Sequence, residues 1–350
     1  MISAIALVLI PHVSPESITP PSAARPSHHR PGGGFRNPWP GTRPTGIGGL
    51  VRWALERARR DSRGPLAPPP ALARPAPAPP RAAPDEVRLT AVGHSTFLLQ
   101  LGPLNILTDP VWGERASPLA FAGPRRRHPP GIALDALPPI DLVLQSHDHY
   151  DHLCDTTVRA LARAHPEATW CAPLGVAARL RARGVGHVVE RDWWQDAVIG
   201  TAEVRCVPAA HFSGRTPFDR DATLWCGWAV RAHGHQVYFV GDTGMHPEFG
   251  TIGAHLGPCD LVLMPIGAYE PRWFMRPVHL DPDEALAAFG ALTAAHPQHR
   301  TVMVGMHWGT FILTDEPPDE PPRRAAAAWA AHGRAAERLW VLAPGETRVL

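Results

Sequence analysis

Ser146-His147-Asp148-His149-Tyr150-Asp151-His152 follows, after the single residue Gln145, on the apolar run Ile140-Asp141-Leu142-Val143-Leu144. A run so short, preceded by Pro138-Pro139 and ended by a polar burst, reads as a buried strand delivering a loop. In extended backbone His147 and His149 point the same way, while Asp151 and His152 come where the chain turns and face a second point nearby. Imidazoles and carboxylates gathered at a buried strand end need partners or metals. His-x-His-x-Asp-His is therefore read as the anchor for two adjacent metal ions. A polar loop that is His-rich by composition alone is the plain alternative. The chain has 20 His in 350 residues, but apart from the adjacent His28-His29 the others are scattered singly, which weighs against it.

Three further polar residues stand at the ends of apolar runs. His211 follows Cys206-Val207-Pro208-Ala209-Ala210, Asp242 follows Val237-Tyr238-Phe239-Val240-Gly241, and His307 follows Val302-Met303-Val304-Gly305-Met306. Each alone could be a loop or capping residue. With His147, His149, Asp151 and His152 they supply enough donors for two metals sharing one carboxylate. Imidazole-rich, carboxylate-bridged sites without thiolate suit Zn²⁺ best, with Fe or Mn as alternatives. Two ions about 3.5–4 Å apart hold a bridging water whose pKa falls toward about 7, a hydroxide nucleophile near neutrality.

Composition limits the setting. Hydrophobic content of 44% with 19% charged residues supports a substantial core. The net charge is +2 and every cation is arginine, which makes no case for nucleic acid. Five widely spaced cysteines without a C-x-x-C fit a reducing, cytoplasmic location. The apolar opening Ile2–Ile10 is too short to span a bilayer and lacks a basic start and a clear cleavage site, so it reads as a tail rather than a signal.

Residues 1–84 read as a Pro/Arg-rich extension and linker, and residues 85–350 as the folded domain. Within the extension, Phe35-Arg36-Asn37-Pro38-Trp39-Pro40 is expected to dock somewhere. Residues 47–60 are expected to form a short helix, packed through Trp53 or lying on an anionic membrane surface. Pro65 to Pro84 is a stiff polyproline-type linker. Beyond Asp85, strands are expected at Val87–Val92, Thr96–Leu101, Asn105–Thr108, Asp141–Gln145, Ala168–Cys171, Ala202–Val207, Thr223–Ala232, Gln236–Val240, Leu261–Met264 and Thr301–Val304. Helices are expected at Thr156–Ala164, Leu174–Arg183, Pro282–Ala295 and Pro322–His332, with Leu339–Leu342 and Thr347–Leu350 closing the sheet. Strands first, then strands alternating with helices, twice over, give an α+β class with two sheets sandwiched by helices.

At this point the residues resemble the metallo-β-lactamase superfamily, and within it the N-acylphosphatidylethanolamine-hydrolysing phospholipase D family. The resemblance runs from Asn37-Pro38-Trp39-Pro40 to about Pro318. It is carried by Val92-Gly93-His94-Ser95-Thr96, Leu107-Thr108-Asp109-Pro110, Arg115-Ala116-Ser117-Pro118, Ser146–Leu153 and Asp192-Trp193-Trp194. Further matching segments are Gly241-Asp242-Thr243-Gly244, Pro265-Ile266-Gly267-Ala268-Tyr269-Glu270-Pro271-Arg272-Trp273-Phe274-Met275 and His307-Trp308-Gly309-Thr310-Phe311.

The resemblance implies an αββα sandwich with two zinc ions. One is held by His147, His149 and His211, the other by Asp151, His152 and His307, and Asp242 bridges. It implies hydrolysis of N-acylphosphatidylethanolamine-type phospholipids to phosphatidic acid and N-acylethanolamine by a metal-bridging hydroxide. A soluble phosphodiester or a lactone is the alternative substrate. Asp151 and His279 are expected as catalytic residues, His279 orienting substrate or donating a proton. Tyr269, Trp273, Phe274 and Met275 are expected as an apolar wall for acyl chains. His94 and Asp109 are candidates for holding ligands in place. Expected partners are a phospholipid or other phosphodiester, a peripheral membrane contact at the inner face, and a second copy as a homodimer.

Overall fold

The computed structural model describes residues 26–59, 67–73 and 78–350. The apolar stretch Ile2–Ile10 and parts of the Pro/Ala linker lie outside the described residues. Helix α1 (Ile47–Arg59) comes first, followed by an antiparallel meander of β1 (Val87–Gly93), β2 (Thr96–Leu101) and β3 (Leu104–Thr108). The sheet continues in parallel through β4 (Leu142–Leu144), β5 (Thr169–Pro173) and β6 (His187–Arg191), with α2 (Asp155–Ala164) and α3 (Ala177–Arg181) in the crossovers.

The second half repeats this plan. Strands β7 (Asp196–Ile199), β8 (Ala202–Val207), β9 (Gly227–Ala232) and β10 (His235–Phe239) are antiparallel neighbours. Strands β11 (Leu261–Pro265), β12 (Val302–Met306) and β13 (Leu339–Trp340) extend the sheet in parallel. Its crossovers carry α4 (Phe249–Leu256), α5 (Arg272–Met275), α6 (Pro282–Thr293) and α7 (Glu320–Ala331). Finally β14 (Thr347–Val349) returns to pair with β1. The result is two seven-stranded sheets, ordered β14-β1-β2-β3-β4-β5-β6 and β13-β12-β11-β10-β9-β8-β7. The two closing strands expected to share a sheet thus end up in different sheets.

The period-two pattern of β4 shows why it is buried on both faces. Leu142 and Leu144 enter the core between the sheets with Trp228 and Phe239. Val143 enters the outer layer with Leu98, Trp170, Val158 and Leu161. Each such side chain contributes about 1.5–3 kcal/mol on burial. Helix α6 starts where Asp281-Pro282-Asp283-Glu284 specifies. The Asp281 carboxylate accepts from the Glu284 backbone N–H at 2.8 Å, Glu284 answers the Asp281 N–H, and Pro282 needs no acceptor there.

The extension does dock. Phe35 joins the inter-sheet core, and the Trp39 indole donates to Glu248 at 2.8 Å while stacking on His246. Helix α1 packs through Trp53, whose indole donates to Asp315 at 2.7 Å and whose ring stacks on Phe274. No helix among the described residues is long and apolar enough to cross a membrane.

Candidate metal centre

Parallel strands end at the same edge of their sheet, and loops leaving those ends can converge. His147 and His149 leave β4, and Asp109 leaves its parallel neighbour β3. His211, Asp242 and His307 follow β8, β10 and β12, which run in one direction. Backbone bonds from His152 and Leu153 to the His149 carbonyl, at 3.1 and 2.7 Å, make the turn that swings Asp151 and His152 away from His149. Both sheets therefore deliver side chains to one place.

Two groups of donors form there. In the first, the His149 Nδ1 lies 2.9 Å from His147 Nε2 and 3.2 Å from His211 Nε2. In the second, Asp151 Oδ2 lies 3.4 Å from both His152 Nε2 and His307 Nε2. Asp242 stands between the groups, its Oδ2 at 3.2 Å from His152, 3.1 Å from His307 and 3.9 Å from His211 Nε2. His152 Nε2, His307 Nε2 and Asp242 Oδ1 are buried without an aligned hydrogen-bond partner. Buried polar atoms are rarely left so, and atoms aimed at a shared point occupied by a cation are the natural exception. Burial pushes His149 down to about 4, His211 down to about 3 and His147 well below the usual range, leaving neutral rings with a free lone pair, the form that binds metal. Burial alone would lower His152 and His307 as well, but the carboxylates of Asp242 and Asp151 reverse this and raise both. Those two carboxylates demand positive charge, which protons supply when metal does not. The N/O donor set, without thiolate, fits divalent zinc, iron or manganese.

A second layer orients these groups. The His152 Nδ1 donates to Asp109 Oδ2 at 2.6 Å, and Asp109 Oδ1 accepts the Ser146 backbone N–H at 2.6 Å. The His211 Nδ1 donates to the Val278 carbonyl at 3.0 Å. His94 sets its Nε2 3.0 Å from Asp151 Oδ2, with its ring 4.1 Å from that of His307. His94, Asp109, Ala268 and His307 all have positive φ, at 59°, 29°, 62° and 61°. Such strain persists where surrounding structure over-determines it, commonly at functional sites.

A cavity of ≈ 290 Å³ opens beside both groups, touching His149, Asp151, His211, Asp242 and His279. Its far wall is apolar, from Leu50 and Trp53 of α1, Phe274 and Met275 of α5, and Phe212, Val278 and Leu313. His279 is buried, which holds it neutral, and its ring lies 5.0 Å from His211. Tyr269 and Trp273 are not on this wall. Tyr269 is fully buried and donates to Glu320 at 2.7 Å, and Trp273 sits at the surface under the Arg52 guanidinium, 4.0 Å from its ring centre. An aromatic in sequence does not reveal which way its strand or helix turns it. A larger hollow of ≈ 430 Å³ lies along β7 and β8, but its lining is Asp196, Glu203, Arg205, Arg231 and neighbours, with none of these histidines.

Sequence reasoning missed two contributors. Asn37 donates to the His211 carbonyl at 2.9 Å and to the Thr42 carbonyl at 2.6 Å, and accepts from the Trp225 indole at 3.1 Å. Arg220 is the one arginine on the cavity wall among the described residues. The Asn-Pro-Trp-Pro motif was a signal for the first; nothing in the sequence marks the second.

Residues 104–308 match the family model described as a Beta-lactamase superfamily domain. An uncharacterised protein of Mycobacterium tuberculosis is 47% identical over 238 residues, covering 67% of this chain and 62% of that protein. The N-acyl-phosphatidylethanolamine-hydrolyzing phospholipase D 1 of Caenorhabditis elegans is 40% identical over 234 residues, 64% of each chain. The chain thus spans less than two thirds of the length of these relatives. Among solved structures, a metallo hydrolase of the archaeon Ignicoccus hospitalis superposes with a TM-score of 0.57 at 24% identity, covering 76% of this chain and 98% of that one. The family match runs unbroken from β3 to just past β12, through every strand end that delivers a donor, and the chain belongs to the β-lactamase superfamily, with the α+β sandwich of its metallo-hydrolases.

Proposed function

We propose that the chain is a metal-dependent hydrolase, a dinuclear zinc phosphodiesterase acting on N-acylphosphatidylethanolamine-type phospholipids. The observation that carries this reading is the apolar cavity opening directly onto the two donor groups. In this reading His147, His149 and His211 hold one ion, Asp151, His152 and His307 the other, and Asp242 both. The similarity to a phospholipase D of that specificity supports the substrate class. Residues 85–350 form the hydrolase domain, and α1 completes its cavity. Leu50, Val51 and Leu55 of α1 are about half exposed beside Arg52 and Arg59, which supports peripheral contact with an anionic membrane.

Two bound cations would supply a Lewis acid for the phosphoryl oxygens and a water acidic enough to attack at neutral pH. The protein's own part is positioning. The walls from α1 and α5 take up acyl chains and keep bulk water from the reacting phosphorus. His279, neutral and at the cavity wall, offers one N–H to the oxygen of the departing N-acylethanolamine. Water's oxygen ends on phosphorus, the P–O bond to the ethanolamine oxygen breaks, and the leaving alkoxide takes up a proton.

The test is metal analysis joined to a substrate panel of N-acyl phospholipids, a bis-p-nitrophenyl phosphodiester and acyl lactones. About two equivalents of zinc and turnover of the lipids are expected. Turnover of lactones alone would replace the lipid reading with a lactonase. Asp242→Asn should abolish hydrolysis while lipid binding persists, and full activity in a metal-replete variant would remove Asp242 from its bridging role.

A further inference from the structure

His28, His29 and Asp192 form a second histidine–carboxylate cluster, beside Trp193. The His28 Nε2 lies 2.7 Å from Asp192 Oδ1, and the His29 Nε2 lies 2.7 Å from Asp192 Oδ2. One donor atom from each residue falls within 4.8 Å of the others. His28 and Asp192 are buried, while the His29 side chain keeps 24% of its surface in solvent.

The cluster is built rather than incidental. His28 stacks on Trp193 with ring centres 4.2 Å apart, and His29 meets the Phe35 ring edge-on at 5.0 Å. The backbone of His29 bridges to Phe35 around a tight loop. That loop passes through Gly34, where φ is +74° and an added Cβ would strike the Asp221 carbonyl at 2.6 Å. On the other side, the Trp193 backbone N–H donates to Asp192 Oδ1 at 2.8 Å, fixing the carboxylate.

Charge makes the cluster unusual in this chain. Every Lys/Arg-type cation is arginine, and among the described residues the buried Asp148, Asp221 and Asp281 each pair with one. The buried aspartates whose ion-pair partners are histidine alone are Asp109 and Asp242, both at the candidate metal centre, and Asp192. With neutral imidazoles the cluster carries a net negative charge that no arginine offsets, and a divalent cation would offset it.

The geometry points to a separate divalent transition-metal site, held by His28, His29 and Asp192 with a water on the exposed His29 side. Two imidazoles, one carboxylate and water are an ordinary zinc set. To bind it, each neutral ring carries its proton on Nδ1, which leaves the Nε2 lone pair that faces Asp192 free for the metal. Bound there, it clamps residues 26–36 to the loop after β6 and so steadies the segment that carries Asn37. The site stands whether or not the reaction proposed above is the right one.

The test uses the full chain and Zn²⁺ alone. Wild type and the His28→Gln/His29→Gln variant, in which each glutamine amide can still donate to Asp192, are equilibrated with buffered Zn²⁺ and assayed for bound metal. Wild type should hold one equivalent more than the variant and gain thermal stability at the Zn²⁺ concentration where that equivalent binds. Equal metal content in the two folded proteins would overturn the assignment. On the unaltered chain, Zn²⁺ added beyond saturation of the main centre should protect His29 from acylation by diethyl pyrocarbonate, and unchanged modification of His29 would also overturn it.

Discussion

The Asn37 side-chain amide donates to the backbone carbonyl of His211 at 2.9 Å, so a residue of the Pro-rich extension holds a histidine of the proposed metal centre. Removing it leaves buried acceptors unpaired, a loss of about 1–3 kcal/mol. Asn37→Ala should weaken metal binding by about 10–100-fold, the usual consequence of losing an outer-shell partner. Competition with a chelator, alongside circular dichroism to verify the fold, reads this directly. Unchanged metal affinity would reduce Asn37 to a packing residue.

Asp109→Asn tests the opposite side of the centre. The substitution preserves shape but removes the charge that the His152 Nδ1 and Ser146 N–H both address. A loss of metal affinity of about 10–100-fold is expected, and zinc occupancy at limiting metal measures it. Occupancy equal to wild type would show that His152 needs no carboxylate behind it.

Phe274→Ala enlarges the apolar wall of the cavity. Losing an aromatic contact of about 1.5–3 kcal/mol corresponds to roughly 10–150-fold in kcat/KM, provided that an acyl chain lies against it. The loss should be confined to long-chain substrates, with a soluble phosphodiester unaffected. Equal losses on both would mean that Phe274 acts through the fold.

His246, which belongs to neither donor group, gives a pH dependence of its own. It stacks between Trp39 and Phe249, and burial pushes it down to about 3 from its ordinary 6.5. The folded protein keeps this ring neutral until about pH 3, whereas the unfolded chain protonates it below 6.5. Between those values the unfolded state binds more protons, so stability falls as the pH drops through that window, by at most ~1.4 kcal/mol per pH unit. His246→Phe should flatten this part of the acid limb in denaturant titrations at successive pH values. Parallel curves for the two proteins would contradict the assignment.

Some features were open to sequence reasoning because local chemistry determines them. The apolar run ending at Leu144 and the His147–His152 burst required a buried strand and a loop, and Asp281-Pro282-Asp283-Glu284 required a helix start. Other features depend on distant contacts. Strand β6, His-Val-Val-Glu-Arg, is only partly buried, and β7 is four residues long with exposed positions, so neither shows a strong pattern. Helix α4 is eight residues long with two glycines, too short to display a helical period. His94 sits in a Gly-His-Ser turn that only the family resemblance marks; its place beside Asp151 follows from the loops after β1 and β4 converging at one edge of the first sheet. Tyr269 was misplaced on the cavity wall for the same reason, since only the partner Glu320, 51 residues away, reveals where its hydroxyl points.

The two halves of the sandwich each bring part of the proposed donor set: His147, His149, Asp151 and His152, with Asp109 behind them, come from the first sheet, and His211, Asp242 and His307 from the second. Neither half alone gathers the complete shell proposed for either ion. Tight metal uptake should therefore report that the sheets have docked in register, and a chain that pairs its strands correctly but leaves the halves apart would emerge without metal. The proposed centre would thus serve as a quality mark on assembly as well as a place for chemistry, and chelation should loosen the seam between the halves before it disturbs either sheet.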